Sequence, residues 1–123
     1  MEKLICGLKM NKNTEIYHED KKDMVFNNIH HFQIKEASYI RESNNILSSI
    51  TFQQGPVKEN GLSGIFDEDL LSILICRLEH YQQSEYRCRE TAVALTKLEE
   101  AFLWLNKRTI ERTNRQVEGT SEK

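Results

Sequence analysis

The chain has 123 residues, and its 17 Lys and Arg against 19 Asp and Glu give a formal net charge of −2. A composition of 38% hydrophobic and 29% charged residues suits a single globular domain, whereas general DNA binding needs a strong basic excess that is absent here. No apolar run approaches the roughly 20 residues that span a bilayer, and Leu4–Cys6 is too short for a signal-peptide core, so we expect a cytoplasmic protein with no membrane partner.

The first half of the chain, residues 1–54, predicts an antiparallel β-sheet. Lys3–Met10 is a candidate strand, and Asp23–His30 is ambiguous between strand and helix. His31–Arg41 carries apolar residues typical of a second strand, and Ser43–Asn45 is typical of a turn. The clearest strand pattern is Ile46–Gln53, where β-branched and polar residues alternate.

The second half predicts a helical hairpin over residues 67–116, after a Gly-rich junction at 55–66. The first helix starts at the acidic Asp67–Asp69 and runs to about Gln83, and the second runs from Arg89 to about Arg115. Each has one apolar stripe at helical spacing: Leu70, Leu71, Leu74, Ile75, Leu78 and Tyr81 in the first, and Ala94, Leu95, Leu98, Ala101, Phe102 and Leu105 in the second. The expected fold is therefore α+β in one domain, a sheet followed by an antiparallel hairpin, with a C-terminal tail at 117–123.

Catalytic and metal-binding patterns are missing from the sequence. The three cysteines form no C-x-x-C pair, so reduced thiols are expected, and the four histidines are scattered. Glu99 and Glu100 are neighbours on a helix, where their side chains diverge by about 100° and cannot act together on one substrate. We therefore expect no catalytic residues, no metal, no cofactor and no enzymatic activity.

Basic residues are concentrated at the end of the second predicted helix. Arg108, Arg112 and Arg115 lie at i, i+4 and i+7 and so share one face, with Thr109 beside them. Guanidinium groups donate two parallel hydrogen bonds and suit phosphate, which makes this face a candidate anion site. The alternative is that the arginines only complement the helix dipole.

Leu103 and Trp104 form a second apolar face on the same helix, away from its main stripe. Self-association into a homo-oligomer would cover this face. Packing of Trp104 on the N-terminal sheet is the alternative.

An ordered series of short segments resembles a family of small phage proteins that sequester immune signals. The family includes the first Thoeris anti-defence protein, and its helical hairpin is shared with the second anti-CBASS protein. The matching segments, between Ile50 and Thr120, are Ile50–Gln53, Gly55–Glu59, Gly61, Gly64, Glu68–Leu71, Arg77–Leu78, Cys88–Glu90, Lys97–Ala101, Trp104–Leu105, Lys107–Thr109, Arg112, Arg115 and Val117–Thr120.

The resemblance implies a sponge that binds a cyclic nucleotide signal intact: a cyclic ADP-ribose isomer of Thoeris, or a cyclic oligonucleotide of CBASS. It also implies dimers or trimers of dimers with ligand pockets at subunit junctions. An enzyme that degrades the same signal and a phage accessory protein that binds a host protein are the alternatives.

Ligand-binding residues follow from the resemblance together with the basic helix end. Tyr86 stands where the family usually has Phe and is expected to stack on a base. Thr91 stands where the family usually has Asn, so a ligand hydrogen bond made by that Asn would be altered here. The expected ligand-binding set is Lys58, Asn60, Tyr86, Arg89, Thr91, Arg108, Thr109, Arg112, Arg115, Val117, Gly119 and Thr120.

Overall fold

The computed structural model describes residues 1–26, 28–38, 45–116 and 119–121. The chain divides into two compact units, Met1–Ile65 and Phe66–Lys123. The first contains the sheet and a short helix, and the second contains two long helices.

The first unit is built around a four-stranded antiparallel meander. Its strands, in the spatial order β1-β2-β3-β4, are β1 (Glu2–Lys3), β2 (Thr14–His18), β3 (His31–Glu36) and β4 (Ile46–Thr51). Ile16 is paired with Ile34, and Phe32 with Ile50, so these apolar side chains fall on one face of the sheet. The Phe32 and Phe52 rings meet edge to face at 5.7 Å on the same face.

Two predictions for the N-terminal region are wrong. Of the predicted strand Lys3–Met10 only Lys3 is in a strand, β1, because the chain turns at Cys6–Lys9, where the Lys9 N–H donates to the Cys6 carbonyl at 3.1 Å. The described residues of Asp23–His30, which do not include residue 27, belong to neither a helix nor a strand: Asp23 and Asn28 form an isolated bridge. Strand β2 was not predicted.

An ion pair joins β1 to β2. Lys3 Nζ lies 2.6 Å from Glu15 Oε2, and the Ser38 N–H donates to Glu15 Oε1 at 2.6 Å. The hydrogen bond from Lys3, together with that from Ser38, lowers the pKa of Glu15 to about 2. Glu15 is therefore an anion near neutral pH, and in this form it holds β1 on the edge of the sheet.

The Gly-rich junction is an ordered loop held against the end of β4. The Ile65 N–H donates to the Thr51 carbonyl and the Ile65 carbonyl accepts from the Gln53 N–H, both at 2.8 Å. A Cβ on Gly64 would lie only 2.5 Å from the Phe52 carbonyl carbon, so this close approach requires glycine. The loop includes one helical turn, α1 (Val57–Asn60).

The second unit is a helical hairpin of α2 (Asp67–Gln82) and α3 (Arg89–Asn114), which pack against each other. The Asp69 carboxylate accepts from the Phe66 N–H at 2.8 Å and so caps the start of α2. The thiol of Cys88 caps α3: its Sγ accepts from the Thr91 N–H at 3.5 Å and donates to Thr91 Oγ1 at 3.1 Å.

The hairpin seam uses only part of each predicted apolar stripe. The half-buried side chains recur in 3–4 alternation, as packed helices require; they are Leu71, Ile75 and Leu78 on α2 and Leu95, Leu98, Phe102 and Leu105 on α3. Leu74 and Tyr81 are instead exposed, because they fall on the flank of α2 and not on its inner face.

The sheet-then-hairpin α+β fold is confirmed. Oligomerisation and the grouping of both units into one domain stay predictions. The Ser43–Asn45 turn, the Tyr39–Arg41 end of the second predicted strand, and Val117 lie largely or wholly outside the described residues. Within the described chain, no helix combines the length and apolar character needed to cross a membrane.

Candidate functional site at the basic end of the hairpin

The last two turns of α3 line a cavity of about 520 Å³. Its walls are Arg108, Glu111, Arg112, Asn114 and Arg115. The predicted arginine trio is therefore brought together, because its i, i+4, i+7 spacing places all three residues on one side of a continuous helix. Among the described lining residues there are three guanidinium groups and one carboxylate, and the cavity has a size that admits a small anionic ligand.

Arg112 differs from the other two arginines of the trio because it is buried. It is 8% exposed, and its Nη2 donates to the carbonyl of Thr120 at 2.9 Å. Between α3 and Thr120, Gln116 has a φ of 60° and Gly119 has a φ of 82°, both in the left-handed region. Arg112 thus ties the segment after α3 back onto the helix end.

Arg108 and Arg115 are exposed on the same side of the helix. The acidic member of the cavity, Glu111, lies 3.7 Å from Lys107 Nζ, so its charge is shared with a neighbouring cation. The Thr113 hydroxyl donates to the backbone carbonyl of Thr109 at 2.9 Å. The side-chain hydroxyl of Thr109 takes no part in this hydrogen bond. The arrangement can hold phosphate oxygens against paired N–H donors.

A second group of predicted residues lies at the opposite end of α3, around the connection between the helices. Tyr86 is 71% exposed. Arg89 begins α3, and Thr91 is engaged in the cap with Cys88. Since α3 rises about 1.5 Å per residue, Arg89 and Arg112 lie roughly 35 Å apart along one helix. One copy of the hairpin therefore does not bring the aromatic residue and the arginine trio together.

Tyr86 contributes to a groove of about 430 Å³ that was not predicted from the sequence. The groove is lined by Cys76, Arg77, His80, Tyr81, Ser84 and Tyr86. Arg77 lies over the Tyr81 ring, with its Cζ 5.8 Å from the ring centroid, and its Nη2 donates to the Tyr81 hydroxyl at 3.2 Å. The i, i+4 spacing of Arg77 and Tyr81 was the signal in the sequence that could have revealed this pair.

Lys58 and Asn60 belong to the short helix α1 of the first unit. Val117 lies outside the described residues. The ligand-binding roles of the predicted site residues stay predictions, because the structure gives positions for them and no ligand.

Comparison with known proteins assigns the chain to a family. Residues 44–109 match the family model described as the hairpin domain of Acb2/Tad1. The chain belongs to the Acb2/Tad1 hairpin family. It is also similar to "Thoeris anti-defense 1" of Bacillus phage SBSphiJ7, with 44% identity over 142 aligned positions that cover all of both proteins.

The Acb2/Tad1 hairpin match includes the residues around the helix connection and the beginning of the basic end, namely Tyr86, Arg89, Thr91, Arg108 and Thr109. Arg112, Arg115 and the returning segment lie beyond it but within the full-length similarity to the phage protein. The cavity at the basic end is therefore formed partly by the shared hairpin and partly by the segment that follows it.

Proposed function

We propose that this protein is a phage anti-defence protein that binds and sequesters, without cleaving, a cyclic nucleotide immune signal. The proposed ligand is a cyclic ADP-ribose isomer of the Thoeris system, and cyclic oligonucleotides of CBASS are further ligands of the same kind. The similarity to "Thoeris anti-defense 1" supports the anti-defence role. The observation that most supports a phosphate-bearing ligand is the cavity with three arginines at the end of α3.

The chemistry of the ligand matches the two ends of the hairpin. A cyclic ADP-ribose isomer has two phosphates and an adenine, so it needs guanidinium forks for the phosphates and an aromatic surface for the base. Arg108, Arg112 and Arg115 supply the guanidinium groups for the phosphates, and Tyr86 supplies the aromatic surface for the base.

A complete site then requires a second copy of the chain, because the two sets lie roughly 35 Å apart along α3. Exposed apolar side chains on α3 provide a surface for such an assembly: Leu103 is 67% exposed and Trp104 is 63% exposed. The proposed assembly is a homo-oligomer, a dimer or a trimer of dimers, in which one copy contributes Tyr86 and its neighbour contributes the arginines.

The proposal is tested by recovering the ligand after binding. The protein is mixed with a substoichiometric amount of the cyclic ADP-ribose isomer, the free ligand is removed by filtration, and the complex is denatured by heat. Chromatography with mass detection then identifies what is released. We expect the intact signal, in an amount equal to that bound.

An Arg108→Ala/Arg115→Ala double variant is the matched control and should leave most of the ligand in the filtrate. Release of a hydrolysed product would instead support an enzyme that degrades the signal. The absence of binding by the wild-type protein would contradict the sponge proposal and favour an accessory role with a protein partner.

A further inference from the structure

Cys76 and His80 form a pair of metal-ligating side chains on the exposed side of α2. The two residues are four apart in one helix, so their side chains lie one turn apart on the same face. Both residues are exposed, and both line the groove of about 430 Å³ that also contains Tyr86. Two ligands at i and i+4 on one helix face are the arrangement with which helical zinc motifs hold their ion.

The distance between the two donor atoms fits a single bound ion. His80 Nδ1 lies 3.8 Å from Cys76 Sγ. Tetrahedral Zn²⁺ binds sulfur at about 2.3 Å and imidazole nitrogen at about 2.0–2.1 Å, so two such ligands of one ion stand about 3.6 Å apart. The two side chains are therefore already close to the positions that they need in order to share one ion.

The backbone of α2 fixes the position of the His80 ring. His80 Nδ1 lies 2.8 Å from the carbonyl oxygen of Cys76, and because a carbonyl oxygen can only accept, the ring nitrogen donates this hydrogen bond. The contact holds the imidazole beside the thiol. Binding of an ion between them therefore restricts little further side-chain motion, which lowers its entropic cost.

The composition of the pair favours a borderline-soft ion in an open site. A thiolate together with an imidazole suits Zn²⁺ better than Mg²⁺ or Ca²⁺, which prefer oxygen ligands. Among the described residues, no third Cys, His, Asp or Glu joins the pair in a position to hold an ion. The remaining coordination positions are therefore left to water, so Zn²⁺ should exchange with solvent instead of forming a closed structural centre.

We propose that Cys76 and His80 bind one Zn²⁺ on the exposed face of α2. As the S–Zn bond forms, the S–H bond breaks and the thiol proton passes to solvent. The imidazole proton moves from Nδ1 to Nε2, so that Nδ1 can ligate and the ring stays neutral. This site goes beyond the proposed function, because it takes a cation and requires no cyclic nucleotide.

Titration of the reduced, full-length protein with Co²⁺, followed by absorbance, tests the proposal. A thiolate bound to Co²⁺ gives a charge-transfer band in the near ultraviolet, which Zn²⁺ does not. We expect this band to saturate at one Co²⁺ per chain and to disappear when one equivalent of Zn²⁺ is added. In NMR spectra of the wild type, Zn²⁺ should shift the ring signals of His80 and leave those of the other three histidines in place.

Variants at exposed positions separate this site from other metal contacts. Cys76→Ser should abolish the charge-transfer band, and His80→Gln should weaken Co²⁺ binding by at least about tenfold, since even a residue that only supports a ligand contributes that much. Cys88→Ser is the matched control and should keep both the band and the affinity. Cys88 is also exposed, but its sulfur is bonded to Thr91 and not to an imidazole.

The proposal makes the two side chains jointly necessary for metal binding. It is overturned if the wild type shows no thiolate band, if the band survives in Cys76→Ser or is lost in Cys88→Ser, or if His80→Gln binds Co²⁺ as tightly as the wild type. A Zn²⁺-dependent shift of another histidine in place of His80 would also overturn it, and this last measurement depends on no variant.

Discussion

Replacement of Arg112 by alanine should loosen the segment after α3 and weaken ligand binding together. The Arg112 guanidinium is 8% exposed and donates to the Thr120 carbonyl at 2.9 Å. A hydrogen bond from a charged donor contributes about 1.5–3 kcal/mol, so its loss should raise the opening equilibrium of this segment about 10- to 150-fold. Ligand affinity should fall as well, because the backbone of the segment and the cavity wall are then no longer held in place.

Hydrogen exchange, read by mass spectrometry on the peptide that contains Gly119–Ser121, measures the opening directly. Arg108→Ala is the matched control: Arg108 is exposed, so its loss should weaken calorimetric binding of the cyclic ADP-ribose isomer about 10- to 150-fold without changing exchange. Arg112→Lys keeps the positive charge but not the paired N–H donors of the guanidinium group. It should therefore increase hydrogen exchange and weaken ligand binding, each by less than Arg112→Ala does. Wild-type exchange in a folded Arg112→Ala variant would refute the argument that Arg112 holds this segment.

Three other predictions address the aromatic end, the assembly and the sheet. Calorimetry with the cyclic ADP-ribose isomer should show that Tyr86→Ala weakens binding by about 1–3 kcal/mol, because stacking on the base is lost, and that Tyr86→Phe changes binding little. Trp104→Glu should reduce the mass measured by light scattering, because it puts a charge on an exposed apolar surface; a monomeric wild type or an unchanged mass would contradict this. Glu15→Gln should lower the urea midpoint at pH 6, and the difference should shrink as pH falls from about 4.5 to about 2. The folded-state pKa of Glu15 lies below its unfolded-state pKa, so Glu15 stabilises the folded protein above the unfolded-state pKa, and this stabilisation is lost as the pH falls. A difference in urea midpoint between wild type and variant that does not change with pH would contradict the prediction.

The hairpin could be predicted from the sequence because its signals are local. Acidic residues begin α2, glycines precede it, and the apolar positions of both helices repeat at helical spacing. Strand β4 was visible for the same reason, since β-branched residues are frequent in this run and Ile46, Ile50 and Phe52 fall on one face of it. Strand β2 was missed because Thr14–His18 has charged or polar residues on both faces and flanking polar residues that hide its limits.

The candidate site was predictable only in part. Helical spacing was enough to group the three arginines, since side chains at i, i+4 and i+7 share a face whatever else the chain does. The burial of Arg112 was not predictable, because its hydrogen bond to the Thr120 carbonyl joins it to a segment that follows a positive φ at Gln116, and glutamine is not a residue type that indicates such a conformation.

The thiol cap of α3 affects how this protein can be labelled or stored. Cys6, Cys76 and Cys88 are all exposed, so a maleimide dye or an oxidant would reach each of them. Only Cys88 uses its sulfur to bond both the N–H and the hydroxyl of Thr91, so modification there would remove the cap and fray the first turn of the long helix. A fluorophore intended to report binding is therefore better attached at Cys6, with Cys88 replaced by serine, a residue that caps helices through its hydroxyl and does not react with the dye.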